Sequence, residues 1–205
     1  RAVLATCGDG ATSRGDFHEA LNLAGVWQLP LVVLINNNQW AISVPRSAQT
    51  ASETLAQKGI GAGIECVQVD GNDVVAVFLT AREALQRARD GGGATLIEAL
   101  SYRLGDHTTA DDASRYRSRE ELNEAWTREP VKRLREYLRR HGHWSAADEQ
   151  QLQEDAQRQV QAAVDSYSAT PIPAATAMFD HLYAHLPRAL SAQYQQLAAR
   201  QGGKP

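Results

Sequence analysis

The run Leu31-Val32-Val33-Leu34-Ile35, entered from Pro30 and left through Asn36-Asn37-Asn38, constrains this chain more than any other feature. Five consecutive apolar residues of strand-forming type show no alternation, so a strand made of them is buried on both faces. Such a strand belongs inside a parallel sheet covered by helices. The flanking sequence follows that pattern. Ala2-Val3-Leu4-Ala5-Thr6-Cys7 is a second apolar run, stopped by Gly8, and residues 14–27 place Phe17, Ala20, Leu21, Ala24 and Trp27 on one helical face behind a Ser13 cap. Glu65 to Val69 and Thr95 to Tyr102 read as two more strands. Residues 73–89 between them form a helix, capped by Asn72 or Asp73 and ended by Gly91-Gly92-Gly93. Strands alternating with helices through short connections predict an α/β fold with a doubly wound, mostly parallel sheet.

The character changes after residue 103. Residues 103–117, RLGDHTTADDASRYR, are polar and aperiodic, and a loop that long in a compact domain is functional or disordered. Beyond it the pattern is helical, so the chain divides into an α/β domain at 1–118, ending in that loop, and a helical region at 119–205. Helices are expected at 119–126 and 131–140, at 146–166 with a stripe of Leu152, Ala156, Val160 and Val164, and at 174–185 after the Pro171-Ile172-Pro173 break. Arg133, Arg135, Arg139 and Arg140, set against Leu134 and Leu138, read as a solvated helix face. The tail QGGKP is expected to be disordered.

Composition excludes some functions. A net charge of −3 with 22% charged residues lacks the basic excess of a nucleic-acid binder. No apolar run approaches the roughly 20 residues that cross a bilayer, and the opening RAVLATCGDG turns polar too soon for a signal peptide. Cys7 and Cys66 lie in apolar strand-like runs without a CxxC partner, which predicts buried free thiols in a reducing compartment. The chain opens in a strand without an initiator Met, and is expected to be the C-terminal part of a longer protein.

The chemistry concentrates at Gly8-Asp9-Gly10, between the first strand and the first helix. A dinucleotide fingerprint, GxGxxG, fails on spacing, because Ser13 stands where its third glycine belongs. It fails on charge too, since a carboxylate between the glycines repels a pyrophosphate approaching the helix start alone. The carboxylate makes sense if a cation lies between it and the phosphates. A right-handed strand–helix–strand unit brings the ends of strands 3–7 and 31–35 to one edge of the sheet, so Asp9 and an Asn of the 36–38 run can face the same point. Carboxylate and amide oxygens are hard ligands for Mg²⁺ or Ca²⁺, and Mg²⁺ bound by so few protein groups takes the rest from phosphate and water. Such a site implies a phosphorylated cofactor.

GDGATSRGDFHEALNLAGVWQLPLVVLINNNQWAIS closely resembles the thiamine diphosphate motif, which opens with GDG and closes with NN. More narrowly it is similar to the alpha subunit of the decarboxylating component of 2-oxo acid dehydrogenase complexes. The likeness continues through VDGNDVVAV, TLIEALSYRLGDHTTADDASRYRSREE and LPRALSAQYQQL. It covers nearly the whole chain, but only about the C-terminal half to three-fifths of a family alpha subunit. The resemblance implies thiamine diphosphate and Mg²⁺ as cofactors, with Asp9 and Asn38 as side-chain metal ligands and Trp40, where the family has Tyr or Phe, giving a backbone carbonyl. It implies that Gly8, Gly10 and Ala11 meet the diphosphate through their backbone and that Asn37 supports the ligand loop. It implies that His107 is the active-site histidine beside the cofactor, while Arg103, Asp111, Tyr116 and Arg117 order its loop. Thr108 stands where mitochondrial relatives carry a phosphorylated serine, and no phosphorylation is expected here.

On that reading the chain takes part in oxidative decarboxylation of a 2-oxo acid, with pyruvate favoured over branched-chain acids, and acyl transfer to a lipoyl group. The partners implied are a beta subunit, in a heterotetramer of two alpha and two beta chains, and the lipoyl-bearing acyltransferase component, with neither nucleic acid nor membrane. The location implied is the bacterial cytoplasm, or the mitochondrial matrix of a eukaryote. Two other readings stand beside it. The chain can be a cofactor-binding and subunit-interface module without activity of its own, or belong to another thiamine enzyme such as a transketolase, against which the DHTTADDASRYRS loop argues.

Overall fold

The computed structural model describes residues 1–202, with side chains through Arg200. Chain contacts divide it into a unit from Arg1 to Ser145 and a second that begins at Ala146.

Four parallel strands form the centre of the first unit: β1 (Val3–Gly8), β2 (Leu31–Asn37), β5 (Glu65–Asp70) and β6 (Thr95–Leu100), in the order β1-β2-β6-β5. A separate antiparallel pair, β3 (Trp40–Ala41) and β4 (Val44–Pro45), follows β2. Helix α1 (Gly15–Val26) joins β1 to β2, and α2 (Val74–Arg89) joins β5 to β6. The two crossovers run in opposite directions along the sheet, so right-handedness puts the helices on opposite faces. The cores agree. Val33 and Ile35 face Leu21 and Phe17 of α1, with Leu55 and Leu96, whereas Val32 and Leu34 face Ala84 and Ala88 of α2, with Ile97. The central apolar run is therefore covered on both sides, and the doubly wound α/β expectation holds.

A 3-10 segment, Ala56–Ala62, packs beside α1, and Gly25 makes this approach feasible: a Cβ there would lie 2.0 Å from the Ala62 carbonyl oxygen. At the other face Asp73 caps α2, its Oδ1 accepting from the N–H groups of Val75 (3.0 Å) and Ala76 (3.1 Å). Ser13 does not cap α1. Residues Asp9–Ser13 form a 3-10 turn, Arg14 takes the cap position without a side-chain bond, and the Ser13 hydroxyl faces the Gln49 carbonyl instead. Trp27 and Ala20 are exposed, so the buried face of α1 is narrower than its spacing suggests.

Helices α3 (Arg119–Trp126) and α4 (Pro130–Arg140) follow the loop as expected. Arg133 corrects the solvated-face reading of α4, because it bonds Asp70 Oδ2 (2.5 Å) and Asp73 Oδ2 (3.0 Å) at the β5–α2 turn. Burial raises the Asp70 pKa. The Arg133 guanidinium, the Asn72 N–H and the charges of Arg133 and Arg128 together outweigh it and hold the carboxyl below its ordinary value. The stabilisation is thus present above the ordinary carboxylate value and lost as pH falls through the lowered folded one. With both partners about half exposed, Arg133→Ala is expected to lower the thermal midpoint by no more than about 4 °C at neutral pH. It should have no effect once acid protonates Asp70, which unfolding scans across pH will read.

The second unit holds α5 (Ala146–Ser168) and α6 (Arg188–Gly202), with the stripe of Leu152, Val160 and Val164 exposed on α5. The helix expected at 174–185 is absent. Ala175–Phe179 is a short 3-10 turn, and Phe179 packs edge-on against Tyr194 of α6 (5.7 Å). Of the QGGKP tail, Gln201 and Gly202 close α6, and 203–205 lie outside the described residues. Among the described residues no helix is long and apolar enough to cross a membrane. Cys7 and Cys66 are free and half-buried, and burial raises both thiol pKa values.

Candidate functional site

Parallel pairing sets Gly8 opposite Asn36 and carries both strands to the same carboxyl edge. Asp9 follows immediately. Its residue is 2% exposed, and its Oδ2 accepts from the neutral Gln49 Nε2 (2.8 Å). Among the described residues no ion pair reaches Asp9. A buried carboxylate offset only by an amide is costly, and a cation offsets that cost. The turn itself is held from two sides. Thr12 Oγ1 donates to the Asp9 carbonyl (2.7 Å), and Lys58 Nζ donates to the Thr12 carbonyl (2.6 Å) and hydroxyl (3.0 Å). Burial, then the charge of Arg46, lowers the Lys58 pKa. Gly10 is pressed against β3, where a Cβ would meet that of Ala41 at 2.7 Å.

The Asn run divides by strand alternation. Asn37 points to the α1 face and is 1% exposed, while Asn36 and Asn38 share with Gly8 and Gly71 a cleft of about 570 Å³ at the carboxyl ends of the strands. Asn37 is a scaffold: its Nδ2 donates to Glu98 Oε1 (2.6 Å) and its Oδ1 accepts from Gln39 N (3.2 Å) and Nε2 (2.8 Å). Asn38 Oδ1 accepts from Trp40 N–H (3.0 Å), which leaves a second lone pair. Opposite Trp40 stands Pro45, which has no N–H to engage the Trp40 carbonyl. Gln39 and Ile42 adopt positive φ, 72° and 54°, a costly backbone for non-glycine residues that brackets Trp40.

One carboxylate, one amide oxygen and one peptide carbonyl make a hard donor set suited to Mg²⁺, with room for phosphate oxygens. Among the described residues no three His, Cys, Asp or Glu side chains gather, so a purely protein-made cage is not what this edge offers. Gly10 and Ala11 line an open cleft of about 670 Å³ with Arg14 at the start of α1, and Gly8 has nothing within 4 Å of where a Cβ would stand. The residues fit a metal–diphosphate group.

The loop that carries His107 is tied to β3 and the turn after it. Arg103 bonds the Ile42 carbonyl through Nη1 (2.8 Å) and the Tyr116 hydroxyl through Nη2 (2.6 Å), and that hydroxyl donates to Asp111 Oδ2 (2.5 Å). Arg117, buried, bonds the Arg103 and Leu104 carbonyls. The Tyr116 ring lies 5.4 Å from that of Trp40, whose Nε1 donates to Tyr102 Oη (3.1 Å). The His107 N–H donates to Asp111 Oδ2 (2.8 Å), and the residue is exposed. The Tyr116 hydroxyl and the His107 N–H hold the Asp111 carboxyl below its usual range against the opposing effect of desolvation, and the Arg103 charge adds to them. The structure thus joins Asp9, Asn37, Asn38 and Trp40 through shared elements and ties the His107 loop to Trp40. Among the described residues no partner meets the His107 ring.

Sequence reading missed Gln49, Lys58 and Glu98. The first two lie in the aperiodic stretch after β4, which carries no signal, but Glu98 had one: a charged residue within the apolar run Thr95–Leu100.

A sequence model of the family described as the dehydrogenase E1 component matches residues 1–176. The 3-methyl-2-oxobutanoate dehydrogenase subunit alpha of Mycobacterium tuberculosis is 47% identical over 197 residues, 96% of this chain and 54% of the relative. The pyruvate dehydrogenase E1 component subunit alpha of Acholeplasma laidlawii is 44% identical over 195 residues (93% and 56%), and that of Staphylococcus epidermidis 43% over 189 (92% and 51%). The chain spans about half the length of these curated relatives. With its GDG turn, its asparagine-tipped second strand and a match over most of its length, the chain belongs to the dehydrogenase E1 component family.

Proposed function

We propose that this chain is part of the alpha subunit of a thiamine-diphosphate-dependent 2-oxo acid dehydrogenase and supplies the diphosphate half of its active site. One observation carries the reading: a buried Asp9 carboxylate, without a cationic partner among the described residues, on the same sheet edge as the Asn38 amide and the Trp40 carbonyl. Bound thiamine diphosphate supplies the carbanion chemistry that decarboxylates the 2-oxo acid. Asp9, Asn38 and the Trp40 carbonyl hold Mg²⁺, and the backbone at Gly8, Gly10 and Ala11 holds the diphosphate at the start of α1. Asn37 keeps the Asn38 turn in place. His107 donates a hydrogen bond to the diphosphate or to the carbonyl of the acyl acceptor, a role open to an imidazole N–H.

The rest of the active site comes from a beta subunit, in a heterotetramer of two chains of each kind, and the acyl unit passes to a lipoyl group of the acyltransferase component. The setting is the bacterial cytoplasm, or the mitochondrial matrix of a eukaryote. Relatives named for pyruvate and for 3-methyl-2-oxobutanoate match at 44% and 47%, which makes both acids candidate substrates. Steady-state rates of the assembled protein on both acids test the reading. Lipoyl-dependent turnover of one, absent without the beta subunit, is the expected result. Turnover by the alpha chain alone contradicts it, and tight cofactor binding without turnover of either acid favours a binding module.

A further inference from the structure

Glu98 has no part in the chemistry described above, yet it lies at its structural centre. It sits in the middle of the central strand β6, opposite Ile35 of β2 and Gln68 of β5, and is 1% exposed. Three neutral donors surround its carboxylate. Oε1 accepts from Asn37 Nδ2 (2.6 Å), and Oε2 accepts from the Ala56 N–H (3.0 Å) and Gln68 Nε2 (3.1 Å). A carboxylate buried in a sheet is expensive against an apolar residue of like size, so a core needing only packing gains nothing from it.

Two arms leave this carboxylate. In the first, the Asn37 amide has one allowed orientation, nitrogen toward Glu98 and oxygen toward Gln39, whose backbone is held at positive φ. That fixes the turn in which Asn38 Oδ1 and Trp40 stand. In the second, Ala56 opens the 3-10 segment that carries Lys58, and Lys58 grips Thr12, which grips the Asp9 carbonyl. The arms end on the two halves of the ligand set, Asn38 and Asp9.

We propose that Glu98 is a positioning residue for the metal site, setting the distance between the Asp9 turn and the Asn38 turn through these two arms. The proposal rests on the cofactor reading above. Glu98→Gln puts an amide nitrogen against either Asn37 Nδ2 or the Ala56 N–H. The pair Asn37→Asp with Glu98→Gln exchanges donor and acceptor and can remake every bond, the amide nitrogen introduced at position 98 then donating to the carboxylate introduced at position 37.

The test is the Mg²⁺ concentration for half-maximal thiamine diphosphate binding in the assembled protein, read by tryptophan fluorescence, beside the thermal midpoint of the metal-free protein. Saturable binding by the unaltered protein tests the cofactor reading itself, and its absence overturns both. Given that binding, Glu98→Gln should raise the half-saturating Mg²⁺ by about 10- to 100-fold, the range seen for groups that orient metal ligands. The double variant should return it to within about 3-fold of the unaltered protein, since the exchange leaves no donor or acceptor unmatched. An unchanged value for Glu98→Gln, or a double variant no better than the single one, overturns the proposal. If Glu98→Gln does not fold, Lys58→Met cuts the second arm at a half-exposed side chain; a rise of about 5-fold or more supports the proposal, and no rise overturns it.

Discussion

Asp9→Ala and Asp9→Asn are expected to weaken Mg²⁺-dependent thiamine diphosphate binding by at least about 100-fold, beyond the 10- to 100-fold typical of groups that only orient a ligand. Asp9 is the only carboxylate of the proposed ligand set, and the amide and carbonyl that remain are weaker ligands for a small, reluctantly dehydrated cation. Asp9→Asn should act in the opposite direction on the metal-free protein. Asp9 is 2% exposed and meets the neutral Gln49 amide, so Asn keeps an acceptor for Gln49 while removing a buried charge. Unfolding scans without metal should therefore find Asp9→Asn at least as stable as the parent. Calorimetry with Mg²⁺ and cofactor should find it unable to saturate. A variant that loses stability and binding together would point to a structural carboxylate.

The second large effect is on folding. Gly25→Ala would ordinarily stabilise a helix by up to about 1 kcal/mol. Here the added methyl lies 2.0 Å from the Ala62 carbonyl oxygen and 3.3 Å from the Ile64 side chain, and the nearest of these is backbone. Either α1 or the 56–62 segment must move, and overpacking of this kind costs about 1–3 kcal/mol or more. A midpoint lowered by about 4–8 °C is the expected result, in line with a loss of about 2 kcal/mol in a chain of this size. Gly15→Ala, with nothing within 4 Å of the new methyl, is the control and should not lower it. Because the displaced segment carries Lys58, Gly25→Ala should also weaken cofactor binding.

Much of this was legible in the residues. The unbroken apolar run at 31–35 required a sheet covered on both faces, and α1 and α2 cover it. The charge argument singled out Asp9, which the structure buries against a neutral amide, and strand order put the asparagines at the same sheet edge. Asn37 and Asn38 were both named, but only alternation along β2 separates the scaffold, on the α1 face, from the proposed ligand. Ser13 misled because a 3-10 turn occupies Asp9–Ser13 and moves the helix start past it. The Ala-rich stretch after Pro173 has helix propensity without a stripe to bury. Pro187 stands directly before α6, where a proline marks a helix beginning. Gln49 and Lys58 act from segments without periodicity, and their importance lies wholly in tertiary contacts.

The claim that Asp9, Asn38 and the Trp40 carbonyl hold the cation that carries a diphosphate is tested most directly with Mn²⁺ in place of Mg²⁺. Crystals of the assembled protein with Mn²⁺ and thiamine diphosphate should give one anomalous peak per site, about 2.0–2.3 Å from Asp9 Oδ, Asn38 Oδ1 and the Trp40 carbonyl oxygen. A bound cofactor with the anomalous peak away from Asp9, or with no metal at all, would contradict it.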